Sequence, residues 1–359
     1  MKRIQVKTPS YKEGALKELG NRDCLVAGLW NYGDYGTVMG AYALYKFLEE
    51  QGKKPVFLDV NPKAGVFQRH VAESFIYGHC QVCSGEISQE ELNRAPLLVT
   101  GSGSVWDYRS LSQEAWRTFF GVPFHKQMEK IAFSASFGKG SGEAFSQTAI
   151  LEMKTALKTF RKVSVRTEYD AGTCEDLFDV VPEIVCNPVL LCDSQVYLHA
   201  MQGGDFCGKE PYIFSYVKNK NERIHRYLEE GIQAREMPCR EFAYLENVKT
   251  QEGEQAVSVA SWLRGLYESD YVVTDCYICA CLALALQKPF SLITGADEQT
   301  DAQARELLVP LELEERMVPC YQDVDIRDYR YLFRKPVKYH RVNAKLNQMK
   351  DAALQWYAE

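Results

Sequence analysis

The sequence has no stretch that reads as a membrane span. No apolar run approaches the roughly 20 residues that crossing a bilayer takes. The chain begins MKRIQVKTPSYKEG, basic at the front, but no apolar h-region follows to make a signal peptide. The expectation is a cytoplasmic protein with no integral membrane segment, peripheral association with a membrane being left open. A strong charge is also missing. The formal net charge is −6 and the isoelectric point about 5.7, which argues against a nucleic-acid partner. There is no solenoid-type repeat and no low-complexity segment, and neither a G-x-G-x-x-G nor a Walker loop. HCQVC (79–83) sets a C-x-x-C beside a histidine, like half a zinc site. No second C-x-x-C or H-x-x-x-H completes the four ligands that a closed site needs, so no metal is expected.

Cysteine, by contrast, is plentiful, at 12 residues. In a cytoplasmic chain these are expected to be thiols rather than disulfides, most of them acting as small buried apolar groups.

The 359 residues are too many for one ordinary core, so two domains are expected. Strand-like and helix-like segments alternate: CLVAGLW (24–30), TVMGAYALYKFLEEQG (37–52), PVFLDV (55–60), LLVTGS (97–102), IAFSAS (131–136), a helix over 146–160, and KVSVR (162–166). Glycines 203, 204 and 208 mark a candidate linker. A second series follows, with PYIFSYV (211–217), a charged helix near 221–235, SVASWLRGLYES (258–269), DYVVT, ICACLALALQ and PFSLIT (289–294). The C-terminal helix 342–358 carries an apolar stripe of Val342, Leu346, Met349, Ala353 and Trp356 that must pack on something. The expected domains are an N-terminal α/β unit at 1–200 and a second at 205–335, with a helix at 337–359 returning across them. Ligands of such sheets sit beyond the C-terminal ends of the strands, so the residues just after each strand are the candidates.

WNYGDYGT (30–37) offers Asn31, Tyr32, Gly33, Asp34 and Gly36 at a helix start, where backbone N–H groups suit an anion; the alternative is a plain glycine turn. TGSGSVWD (100–107) offers Ser102 and Trp106, with the alternative that Ser102 or Ser104 is an N-cap. SASFGKG (134–140) offers Ser136. Arg166 closes a strand and could bind carboxylate or phosphate bidentately, or instead pair with Glu168 or Asp170. TDCYICAC (274–281) offers Thr274, Asp275 and Tyr277. Asp275 is a general base, a sugar-hydroxyl acceptor or the N-cap of the next helix. Cys276, near a helix N-terminus, could have a lowered pKa. No histidine lies nearby in sequence to make a Cys–His pair.

Taken in order, LWNYGDYGTVMGAYALYKFLEEQG, LLVTGSGSVWD, KIAFSASFG, VSVRTEY, CNPVLLCD and SDYVVTDCYICACLALALQKPF resemble the successive motifs of the polysaccharide pyruvyl transferase family over residues 24–295. The resemblance implies a GT-B-like fold, two Rossmann-like α/β domains facing across a cleft. It also implies transfer of a pyruvyl group from phosphoenolpyruvate, as co-substrate and with no metal, to a sugar of a cell-surface glycan or lipid-linked acceptor in exopolysaccharide biosynthesis. On that reading Asp275 and Arg166 are catalytic, and the other residues named contact the donor. Ile278 stands where the family's T-D-S-F-H-G motif has its histidine, Gly103 and Ser104 replace an Asp and a Gln, and Asn187 replaces an Asp. Proton transfer would then fall to Asp275, Tyr277, His199 or His225. Two alternatives stand beside pyruvyl transfer: a glycosyltransferase-like enzyme with a nucleotide-sugar donor, and a catalytically silent paralogue that binds a ligand or partner. The sequence sets no oligomeric state.

Overall fold

The computed structural model describes residues 15–32, 34–60, 66–138, 145–205, 208, 210–245 and 257–359. In chain order the first part contains β1 (Cys24–Ala27), α1 (Tyr35–Glu50), β2 (Pro55–Phe57), α2 (Val66–His79), α3 (Gln89–Leu92), β3 (Leu97–Gly103), α4 (Gln113–Phe119), β4 (Glu129–Ala135), α5 (Gln147–Leu157), β5 (Lys162–Val165), α6 (Glu168–Phe178), β6 (Glu183–Ile184) and α7 (Ser194–Ala200). The second part contains β7 (Ile213–Tyr216), α8 (Glu222–Arg235), β8 (Cys239–Glu241), α9 (Val259–Glu268), β9 (Tyr271–Thr274), α10 (Tyr277–Ala285), β10 (Phe290–Ile293), α11 (Glu298–Leu308), β11 (Met317–Val318) and α12 (Tyr339–Ala358).

The strands form two sheets, ordered β2-β1-β3-β4-β5-β6 and β11-β10-β9-β7-β8, and every pairing is parallel. Parallel sheets are covered by helices on both faces, so their strands are apolar throughout rather than alternating. CLVA, YVVT and FSLI are accordingly buried at every position. This is the expected architecture of two Rossmann-like α/β units. In each sheet the chain runs outward in both directions from a switch point, β1 beside β3 in the first and β7 beside β9 in the second. A crevice opens beyond the strand ends at such a point.

Helix starts follow the residue types that satisfy free backbone N–H groups. Asp34, Ser112, Ser146, Thr167, Asp193, Asn221, Ser258 and Asp297 each accept a hydrogen bond from the helix that they open. α10, opened by Cys276, has no such bond.

One apolar cluster runs without a break from the first sheet through α1 and α10 into the second. α12 adds to it from the C-terminus, with Trp356 set edge-on to Phe133 and Tyr357 to Phe47. The segment expected as a glycine linker is anchored as well. Gly204 lies against the backbone of α9, and its carbonyl accepts from Arg264 Nη1 at 2.9 Å. Among the described residues no helix is long and apolar enough to cross a membrane.

Candidate functional site in the cleft

The starts of α1 and α10, one from each unit, meet at the two switch points. Asp34 caps α1 by accepting from the Thr37 N–H at 2.9 Å. One residue into the helix, Gly36 leaves the space that α10 occupies. A Cβ there would lie 2.7 Å from Cys276 Sγ and 3.3 Å from Ile278 Cβ. A turn later Gly40 faces Ile278 Cδ1 at 3.6 Å. Ile278 is therefore an apolar plug in the seam, buried among groups that offer it no polar work. Tyr35 spans the same seam: its hydroxyl donates to the Val257 carbonyl at 2.8 Å, and its ring stacks on Trp262 at 5.3 Å.

Asp275 follows β9 directly. Both its oxygens accept from the Lys218 N–H, at 3.1 and 2.9 Å, and Oδ1 also accepts from the Tyr244 hydroxyl at 2.9 Å. Burial raises its pKa above the ordinary carboxylate range. The two donors hold that rise back, and the charge of Asp34 across the seam adds to it. Lys218 and Tyr244 were not among the sequence candidates. Lys218 is the first residue after the strand-like run 211–217, and that position is the signal that marks it. Tyr244 carries no comparable signal.

Arg166 follows β5 and is only 8% exposed. Its guanidinium carbon lies 4.9 Å from the ring centroid of Tyr277, the first residue of α10. Gly103 makes room for it, since a Cβ there would stand 3.0 Å from Nη2. Its Nε has no hydrogen-bond partner, and among the described residues no carboxylate forms an ion pair with it. Asp170 lies within reach of its field but directs its oxygens elsewhere, to the Phe137 N–H at 2.9 Å and the Thr167 hydroxyl at 2.7 Å. Two residues past Arg166 a groove of about 710 Å³ opens between α6 and α11, lined by Glu168, Tyr169, Asp297, Arg305 and Glu306 among others. Glu306 bridges it, accepting from the Glu168 N–H at 2.9 Å, and burial raises its pKa.

The cleft thus gathers Asp34, Gly36, Arg166, Asp275 and Tyr277. The other candidates turn inward. Trp106 is fully buried, stacked on Phe120 at 5.0 Å with its Nε1 donating to the Phe119 carbonyl, so it is core rather than a ligand contact. Asn31 is spent on the Val60 carbonyl at 3.1 Å, Ser102 on the Gly40 carbonyl at 3.2 Å and Thr274 on the Tyr216 carbonyl at 2.8 Å. Ser136 is buried and accepts from the Gly138 N–H. Tyr32 packs half-buried against the core of the first unit. Gly33 lies outside the described residues. His199 and His225 sit on exposed positions of α7 and α8.

Cysteine chemistry also reads differently in place. The Cys276 thiol is pushed well up rather than down. Burial dominates, and Asp34 and Asp275 add to it, which outweighs the helix terminus. Cys80 and Cys83 are both buried, and among the described residues no group of three or more His, Cys, Asp or Glu side chains is placed to hold a metal ion.

No family model and no curated protein matches the sequence. Solved structures do. UDP-GlcNAc 2-epimerase from Neisseria meningitidis, in a structure bound to UDP-GlcNAc, aligns over 93% of this chain and 99% of its own at 10% identity, with a TM-score of 0.53. UDP-GlcNAc 2-epimerase from Methanocaldococcus jannaschii aligns over 91% and 92% at 9% identity (TM-score 0.46), and MurG from Acinetobacter baumannii over 92% and 94% at 10% identity (TM-score 0.42). At such identities the likeness is one of fold, and it is a GT-B-like fold. These findings overturn the resemblance to the polysaccharide pyruvyl transferase family: the sequence matches no model of a family, and the structures it resembles point elsewhere. The site agrees with the correction, because the position of that family's histidine is a packed isoleucine. Pyruvyl transfer and a phosphoenolpyruvate donor rested on that resemblance alone.

Proposed function

We propose that this chain is a glycosyltransferase-like protein that takes a nucleotide-sugar into the cleft between its two α/β units. The observation that carries this is Arg166: a buried guanidinium with no ion pair among the described residues, beside a helix start with no side-chain cap. A buried charge is costly unless paired, and both features favour a bound anion. In this reading the diphosphate lies against Arg166 and the first turn of α10, and the sugar hydroxyls donate to the carboxylates of the neighbouring groove. Asp275, which holds its proton more tightly than an ordinary aspartate, is the candidate proton donor where the ligand meets the start of α10. The fold adds support, since a protein of similar architecture binds UDP-GlcNAc.

A second reading, binding without turnover, is favoured by one feature. The Asp275 oxygens are already engaged by Lys218 and Tyr244.

Thermal unfolding with UDP-N-acetylglucosamine, UDP-glucose and GDP-mannose tests the proposal. At 100 times its Kd a ligand stabilises by about 2.7 kcal/mol, so a bound nucleotide-sugar gives a clear rise in Tm. That rise should vanish in Arg166→Ala. No rise with any of the three overturns the proposal. Where a rise is seen, release of free nucleotide on incubation separates turnover from binding alone.

A further inference from the structure

A second cation is buried at the opposite end of the first sheet. Lys130 is the second residue of β4, 1% exposed, and lies at the strand's N-terminal end, away from the cleft. Its ammonium donates to two neutral acceptors, the His125 carbonyl at 2.9 Å and Thr159 Oγ1 at 3.2 Å. Its third N–H has no acceptor among the described residues. Among the described residues no carboxylate forms an ion pair with it. Glu152, which lines the same groove as Lys130, is held by Arg117 at 2.8 Å, and Glu129 by Arg161 at 3.0 Å. Burial alone lowers the Lys130 pKa, with no neighbouring charge contributing. Part of the site is shaped around the side chain: Gly121, at φ +68°, lays the loop backbone on the lysine stem, where a Cβ would stand 3.0 Å from Cδ.

Lys130 lines a groove of about 380 Å³ between the loop before β4 and the outer face of α5. Its walls are mostly apolar, with Val122, Phe124, Ala156 and Leu151, and Leu151 stands 64% exposed. Lys126 is at the rim. A lysine with no ion pair among the described residues, lining a groove with apolar walls, is what an amphipathic anion neutralises. Hydrogen bonds to a carbonyl and a hydroxyl explain why the lysine ties the loop down, but they leave its charge unbalanced.

We propose that this groove binds a small anion with an apolar body, its carboxylate or phosphate on the Lys130 ammonium and its chain along Leu151, Val122 and Phe124. The site is independent of the cleft and of the nucleotide-sugar reading. Calorimetric titration with hexanoate, hexyl phosphate, hexanol and inorganic phosphate tests it. One of the two amphipathic anions should bind at least tenfold more tightly than both hexanol and inorganic phosphate, and the tighter one identifies the head group. Lys130→Met should abolish the difference between that anion and hexanol. Leu151→Ser, at an exposed position that leaves folding intact, should weaken the anion about threefold, which keeps the test open if Lys130→Met does not fold. Hexanol binding as well as the anions, equal binding of inorganic phosphate, or no saturable binding of either anion would each overturn the proposal.

Discussion

At the scale of single residues, burial decides what chemistry each side chain keeps. Arg166 and Asp275 both directly follow strands, and the fold draws both away from water without an ion pair among the described residues. The same burial silences Cys276. Its pKa is raised, so at pH about 8 it is almost wholly the unreactive thiol. Maleimide labelling of the native protein, mapped by mass spectrometry, should leave the peptide containing Cys276 essentially unmodified over the time in which denatured protein is fully labelled. Rapid native labelling there would mean that the helix terminus wins over desolvation. The sequence singles out Arg166 and Asp275 because each directly follows a strand, but that position alone does not decide, since Ser136 directly follows β4 and is buried. The inward turn of Trp106, Asn31 and Ser136 was not legible. A loop residue can turn toward the core or the ligand with the same local pattern, and only the position of Phe120, Val60 or Gly138 decides which.

The seam between α1 and α10 is the element on which the cleft depends. Two glycines of α1 face it at different distances. Gly36→Ala puts a methyl 2.7 Å from Cys276 Sγ, so the Cys276 side chain or the helices must shift, and overpacking of this kind costs about 1–3 kcal/mol. Gly40→Ala meets only ordinary contacts at 3.6 Å, and the gain in helix propensity makes it neutral to stabilising by up to about 1 kcal/mol. Denaturant unfolding of the two variants should therefore give opposite signs. Equal effects would show that α1 and α10 are not in this contact. Elements were legible because apolar period and cap residues agree along most of the chain: Asp34, Ser146 and Ser258 each stand where a helix begins. What could not be read was which helix meets which. Gly36 and Ile278 are 242 positions apart (278 − 36), and nothing local couples them. For the same reason the TDCYICAC segment invited comparison with an active-site loop. A strand, a short polar loop and an apolar helix recur wherever this architecture does.

For the whole molecule, the two units are joined by a continuous core, by α12 returning to the first sheet, and by polar contacts across the cleft. One of these, Glu306 on the Glu168 N–H, carries a pH dependence. Its folded pKa is raised, so the folded state holds the proton more tightly than the unfolded state does, and the carboxylate's contribution to stability falls as pH rises through the raised value. Glu306→Gln keeps an acceptor for the amide and removes the charge. The Tm of this variant minus that of the parent should thus be larger at about pH 7 than at about pH 5. A difference that is flat, or that shrinks with pH, contradicts the assignment. The two-sheet architecture was legible from the alternation of strands and helices, since buried parallel strands must be apolar on both faces. Membership of a particular family was not, because motifs that track strand ends report the fold they share before they report chemistry.

The central claim, an anion-bearing sugar ligand at Arg166, is tested most directly by an experimental structure of the protein soaked with the nucleotide-sugar that raises its Tm most. The account predicts the diphosphate within hydrogen-bond reach of the Arg166 guanidinium and the first N–H groups of α10, with the sugar toward Glu168 and Glu306. A nucleotide-sugar seated elsewhere, with Arg166 still facing only Tyr277, would contradict it.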